Sequence, residues 1–454
     1  MEKAPLLLRI GFTQGVKASK DPSAVPVGAI WDALNVSADE SGILRIRDGC
    51  ISLADPLGPG PIQGAIAAFG GVLFIWKQIV HMYKDGEITV IDDTTILGED
   101  SGTPIEMVRW TRGGKEVVYI LSGRGLYETD STTLSLVDPY IPAAGEPANL
   151  LKAEDDTQDS ASGPACAKLG ILRASLSQRI AVAGFPASPN TVYLSAPLDA
   201  TYWPVEQIIQ LPDDGAKITG LANWYGALVI FRDRDIWAFF GTEVSSEASL
   251  VVQERAVGCV SHRTIASVPG IGMVFLGPDN VYALQGVSGV ENQVKAVPIG
   301  HDIRPHLIKA MGYGLKGTCA IYHNDEYRLS IPEALSEAKV FRLRLQDNAG
   351  WYPDTGPRVA VYVPFGDKLL GAQWPNGQLM EFKSWLLDGT EQIPFYVAFA
   401  RESFQHGPVA IRRLFIYVIS KGRLRTEPLK FFGPVFNTTT FGSMPETTVT
   451  YIQG

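Results

Sequence analysis

The chain has 454 residues, 46% hydrophobic and 19% charged, with a formal net charge of −9. This length can bury a large core, in two or three domains or in one built from repeats, and the composition excludes a disordered chain. An acidic balance excludes a protein that wraps nucleic acid through its phosphates, and 46 glycines with 30 prolines favour turns and short strands over long helices.

Residues 1–60 differ in pattern from the rest of the chain. The stretch "GVKASKDPSAVPVGAIWDALNVSADESGILRIRDGCISL" (15–53) predicts an N-terminal arm and first strands. The start, "MEKAPLLLRIGFTQG", has no cleavable apolar core, and the longest nearly apolar run, 64–76, is too short to span a bilayer. The expectation is a soluble chain, made in a cytoplasm, without a membrane segment.

From 61 to 389 one pattern recurs: an apolar strand, a short turn, then a second strand rich in β-branched and aromatic residues. Copies begin near residues 71, 115, 178, 226, 270, 325 and 366. "GVLFIWKQIVHMYKDG", "KEVVYILSGRGLYETD", "GALVIFRDRDIWAFFG" and "GMVFLGPDNVYALQG" keep the turn short, and the others lengthen it. Further strands, "PIEMVRW" (104–110), "AKITGLANW" (216–224), "RTIASVP" (263–269) and "RVAVYVP" (358–364), lead into the hairpins. A period of roughly 40–50 residues with about four strands is that of a propeller blade. The expectation is an all-β propeller of about seven blades, six to eight being possible, with a two-sheet sandwich as the rival. An acidic loop insertion is expected near 143–168, one short helix within 303–314, and an added C-terminal β domain over 390–454.

The search for chemistry returns little. Asp233 and Asp235 occupy the turn slot held in other copies by Gly277-Pro278-Asp279-Asn280 and Ser122-Gly123-Arg124-Gly125, so they are expected to shape a turn rather than form a catalytic pair. Cys50, Cys166, Cys259 and Cys319 form no CxxC and are expected as free buried thiols. His81, His262, His301, His306 and His323 lack zinc spacing and are expected to pack or hydrogen-bond. The acidic pairs Asp92-Asp93, Asp155-Asp156 and Asp213-Asp214 lack the alternate-residue order of a calcium loop. Trp203, Trp224, Trp237 and Trp351 are expected between blades rather than on a sugar-stacking platform. No catalytic residue, cofactor or metal is predicted. One cluster remains, the basic patch Arg412, Arg413, Lys421, Arg423 and Arg425, a candidate docking surface for an acidic partner.

The arm with "VPVGAIWDALNV" and "GILRIRDG", then "VYLSAPLDATYWP" (192–204), "DDGAKITGLANWYGALVIFRDRDIWAF" (213–239), "GCVSHRTIASVPGIGMVFLGPDNVYAL" (258–284), "IYHNDEYRLSIP" (321–332) and "GWYPDTG" (350–356), resemble the tail nozzle or packaged-DNA-stabilisation proteins that close the portal channel of short-tailed bacteriophages. The resemblance covers most of the chain through degenerate patterns. It implies a β-propeller in the virion tail, a ring of about six copies below the portal and head–tail adaptor, contacts with tail fibre or spike proteins, and genome DNA passing through. No appended receptor-binding or enzymatic module is expected from these residues. The alternative is a receptor- or carbohydrate-binding propeller, which would need convergent carboxylates or tryptophans at its central funnel.

Overall fold

The computed structural model describes residues 12–399, apart from 13, 22–23, 27, 39–41, 96, 98–103, 123–124, 152–170, 175–177, 186–187, 225, 287–292, 337, 346–349 and 384–386. Seven antiparallel blades follow one another over 62–92, 106–136, 171–210, 218–254, 266–298, 319–354 and 359–382. The chain is therefore a seven-bladed β-propeller. All seven hairpins read in the sequence are the second and third strands of their blades, from Gly71–Trp76 with Ile79–Lys84 in blade one to Lys368–Gln373 with Leu379–Phe382 in blade seven.

The reason these strands are legible is burial on both faces. Ala227–Arg232 in blade four is buried at every position, because neighbouring blades cover both sides of it. Near-continuous apolar runs follow from that two-sided burial. The outermost strand of blade one is exposed instead: Glu87–Asp92 has no fully buried residue. Aromatic pairs tie blade to blade. Phe231 of blade four lies 5.1 Å from Phe275 of blade five, and Trp203 is fully buried in the seam between blades two and three. Each such aromatic removes enough apolar surface from water to contribute about 2–3 kcal/mol.

Blade seven contributes only three strands from its own segment. Its fourth is Cys50–Ser52, which pairs antiparallel with the third strand through Met380↔Ser52, Glu381↔Ile51 and Phe382↔Cys50. An N-terminal strand thus closes the ring, and the expected arm of 1–60 supplies part of the propeller itself. Two short strands, Leu387–Asp388 and Glu391–Gln392, extend this sheet further.

The rest of the described arm covers the outer edge of blade six. Gly350–Asp354, the last strand of that blade, is buried throughout. The backbone N–H of Val16 donates to the Trp351 carbonyl at 3.0 Å, and that of Asn35 to the Pro353 carbonyl at 3.1 Å. Ile30–Leu34 of the arm pairs antiparallel with Tyr396–Phe399, so both chain extensions meet at this edge. A sheet edge covered in this way cannot pair with other chains.

Strands alternate in direction, so the turn between the second and third strands lies at the same end as the connector into the next inner strand. At this upper face connectors pack on turns: Arg304 pairs with Asp279, and the Cys259 N–H donates to the Arg232 carbonyl. The connector from blade five to blade six carries the helix Arg304–Met311, inside the expected span. Pro305 stands in its first turn, where a missing N–H costs nothing, and Leu307 and Ala310 bury its inner face.

Candidate functional site

Two polar constellations are built into the propeller, one at its axis and one in a single seam. The first begins with the 3-10 turn His262–Thr264, just before the inner strand of blade five, Ala266–Val268. Thr264 is fully buried; its hydroxyl donates to the Ser261 carbonyl at 2.7 Å and accepts from the Leu276 N–H at 3.1 Å. The Tyr327 hydroxyl of blade six donates to the Thr264 carbonyl at 3.0 Å. A turn fixed on both sides can aim its neighbour, and Arg263 reaches across the axis. Its Nε donates to Glu106 Oε1 at 2.7 Å, and Nη2 donates to the carbonyls of Gln63 (2.7 Å) and Ile105 (2.9 Å). Gln63 and Glu106 stand at the upper ends of the inner strands of blades one and two. The planar guanidinium suits this bridging task, because it offers several donors in a fixed fork. The central opening is bridged there by one side chain.

The second constellation lies between blades six and seven. Cross-strand pairing places Arg328 beside Arg342 and Glu326 beside Arg344. The Arg342 guanidinium is forked on Asp354, with Nη2 to Oδ1 at 3.1 Å, and its Nη1 donates to Glu326 Oε1 at 3.1 Å. Arg328 donates to Glu326 Oε2 at 2.7 Å and lies 4.8 Å over the Phe382 ring of blade seven. Burial alone would raise the Glu326 carboxyl, but the charges of Arg342 and Arg328 outweigh it and bring the group down to about 2. The carboxylates of Asp354 and Glu326 in turn raise the Arg342 pKa against its own burial. Arg47, at the end of the arm, forks onto Asp388 just beyond blade seven. Each of these arginines faces a carboxylate acceptor; the set ties together the outer strands of blade six, and Arg328 carries it to the Phe382 ring of blade seven.

The expected turn at 233–235 divides in two. Asp233 is half-exposed and accepts the Lys217 N–H at 3.3 Å, as a turn residue does. Asp235 accepts from the fully buried Arg232, through Nε at 2.6 Å and also through Nη2, and from Trp237 Nε1 at 3.0 Å. Asp214, from the expected acidic pair, takes the other side of that guanidinium at 2.8 and 3.1 Å. Two carboxylates therefore neutralise one buried arginine, an arrangement that holds a turn.

Other expected residues fall into packing roles. His81 stacks on Phe74 with ring centroids 5.2 Å apart, and burial lowers its pKa. His306 Nε2 lies 2.8 Å from Asp32 Oδ1, joining the helix to the arm. Cys50, Cys259 and Cys319 are buried and unbridged, and burial pushes each thiol up to about 12; Cys166 lies outside the described residues. Trp203 and Trp351 are buried, Trp351 donating to the Ile299 carbonyl at 2.6 Å. The side chain of Asp92 binds Thr94 and Thr95, which lowers its carboxyl to about 2. Asp155-Asp156, residues 152–168 of the loop insertion, Gly123 and Arg124 lie outside the described residues. So does the basic patch Arg412, Arg413, Lys421, Arg423 and Arg425, with all of 400–454. Among the described residues no group of three or more His, Cys, Asp or Glu is arranged to hold a metal ion, and no helix is long and apolar enough to cross a membrane.

Arg263 and the Glu326–Arg342–Asp354 set were not singled out by sequence reasoning. Alternating charge inside "DEYRLSIPEALSEAKVFRLRL" was the available signal, since Arg at 328, 342 and 344 sits at a period of two on strands whose other faces are apolar. For Arg263 no local signal exists; its partners lie 157 and 200 residues away.

No family model and no curated protein matches the chain. Solved structures of other propellers are similar in outline. The AfRom2 CNH domain aligns with a TM-score of 0.44 at 9% identity, over 74% of this chain and 100% of that one. YCF48 from Cyanidioschyzon merolae gives 0.43 at 8%, over 74% and 98%. The Neurospora crassa Pan2 WD40 domain gives 0.42 at 10%, over 74% and 94%. Likenesses this distant carry no argument about activity or partners.

Proposed function

We propose that this chain is a structural subunit of a bacteriophage tail, forming with further copies a nozzle or plug ring below the portal and head–tail adaptor that retains packaged DNA and conducts it during ejection. The sequence resemblance suggests the role. The observation that supports it is the pairing of Ile30–Leu34 with Tyr396–Phe399 on the outer edge of blade six. Both chain extensions leave the propeller at one place on its rim, where they can reach a neighbour without disturbing the closed sheets. Because Arg263 bridges the propeller's own axis, DNA in this reading passes through the middle of the ring of subunits and not through any one propeller. An acidic chain suits a passage that must not grip phosphates.

Negative-stain imaging of the purified protein, alone and with the adaptor, together with its solution mass, tests this. Closed rings of about six copies with an axial hole are the expected result. Isolated propellers of monomer mass in both samples would overturn the tail-ring reading and turn attention to a glycan-binding screen.

A further inference from the structure

The seam between blades two and three carries an outgrowth that buries Leu151, Ala200 and Trp203 yet leaves other apolar side chains in solvent. The connector leaving blade two runs back along the last loop of blade three. The Tyr140 N–H donates to the Thr201 carbonyl at 2.9 Å, the Val205 N–H to the Ala148 carbonyl at 3.0 Å, and Asn149 Nδ2 donates to the carbonyls of both Tyr140 and Thr201 at 2.8 Å. The rings of Tyr140 and Tyr202 lie 5.0 Å apart. This clamp holds apolar side chains out in solvent: Ile141 is 86% exposed, Leu198 57% and Val205 44%. Exposed apolar groups gathered on one rigid outgrowth mark an interaction surface.

The charge of that surface has one sign. Its two segments, 138–151 and 196–207, contain the carboxylates Asp138, Glu146, Asp199 and Glu206 and not one lysine or arginine. Arg112, whose guanidinium feels the Asp199 charge, is itself held by Glu128 at 2.9 Å. The complementary sequence stands in the same chain: "IRRLFIYVISKGRLR" (411–425) interleaves apolar residues with five cations and has no carboxylate.

Position selects which copy supplies it. The described chain ends at the edge of blade six, with Tyr396 bonded to Asp32 at 3.1 Å. In a ring of seven blades, blade six stands opposite the seam between blades two and three, with two blades intervening on either side. A surface and its counterpart on opposite sides of one subunit make a head-to-tail contact, which repeats from copy to copy until the ring closes. We propose that the acidic, apolar outgrowth on blades two and three is the docking surface for residues 411–425 of a second copy of this chain. The inference deepens the tail-ring reading and rests on it for the closed ring, although the docking itself can be measured without one.

The test is a fluorescently labelled synthetic peptide of residues 411–425 titrated with the full-length protein, at a concentration where the protein is monomeric by mass photometry, with anisotropy as the readout. Saturable binding is expected. It should weaken about tenfold in the double variant Asp138→Lys, Glu206→Lys, whose exposed side chains lie outside the Asn149 clamp, and also in Ile141→Ser. A peptide carrying Arg412→Glu and Arg413→Glu should bind the lysine variant better than the parent protein. No saturable binding, or equal binding to parent and variants, overturns the proposal. Sixfold rings without peptide binding would overturn the docking and leave the tail-ring reading standing. Patch-dependent binding without rings, adaptor present, would support the docking and remove the tail-ring reading.

Discussion

The guanidinium of Arg263, at the start of blade five, donates to the Glu106 carboxylate, at the start of blade two, across 2.7 Å and the propeller axis. The contact joins residues 157 apart in sequence and, with the Gln63 and Ile105 carbonyls, ties blades one, two and five at the upper face. Both side chains are largely buried. Arg263→Ala should therefore destabilise the protein by about 3 kcal/mol, as removal of one member of a buried ion pair does. Arg263→Met with Glu106→Gln should recover much of that loss. Urea unfolding followed by tryptophan fluorescence checks both, and a single variant with parental stability would show that the axial bridge contributes nothing.

Backbone approach gives a second prediction. A Cβ placed on Gly15 would lie 2.8 Å from the Gly350 Cα, and one on Gly350 would lie 2.7 Å from the Gly15 Cα. Gly15 also has φ +66, a conformation that L side chains rarely adopt. Neither backbone can move without breaking the Val16–Trp351 hydrogen bond that seats the arm. Gly15→Ala should release the arm locally while the blades stay folded. Hydrogen exchange is the measurement: faster exchange is expected at Val16 and over Gly350–Asp354, with unchanged protection in Ala227–Arg232. Unchanged exchange at Val16 would show that the arm tolerates the added methyl.

The blades were legible because their middle strands are buried on both faces and so read as apolar runs, Ala227–Arg232 most clearly. The hairpin turns were legible because Gly, Asp and Asn announce them. The ring closure was not, since Cys50–Ser52 is three residues long and its partner Met380 lies 330 residues on; nothing in "CIS" says which edge it will join. The polar sites were hidden for the same physical reason. A buried arginine looks like any surface arginine until the chain brings a carboxylate to it, and Arg263, Arg232 and Arg342 each depend on such a meeting.

The pair Asp233 and Asp235 separates the two roles that a turn carboxylate can have. Asp235→Asn removes the less exposed of the two carboxylate charges that Arg232 faces in a fully buried position and should cost about 2 kcal/mol. Asp233→Asn keeps an acceptor for the Lys217 N–H and should leave stability unchanged within the error of the measurement. Equal effects of the two substitutions in thermal unfolding would remove the distinction.

The seam between blades six and seven should show itself in acid. Glu326 is held down to about 2 from an ordinary 4.5, because Arg342 and Arg328 outweigh the burial that would raise it. A depressed carboxyl stabilises the fold above its unfolded pKa, and that contribution is lost as pH falls through the folded value. At neutral pH the shift corresponds to about 3 kcal/mol. Glu326→Gln should therefore be less stable than the parent by roughly this amount at pH 7. The gap should hold down to about pH 5, shrink between 4.5 and 2, and close near the lower value. Urea unfolding of both proteins at several pH values across that window is the check. A gap of constant size down to pH 2 would mean that the glutamine costs stability through shape and not through charge, and that the ionic set of blade six does not stabilise the fold.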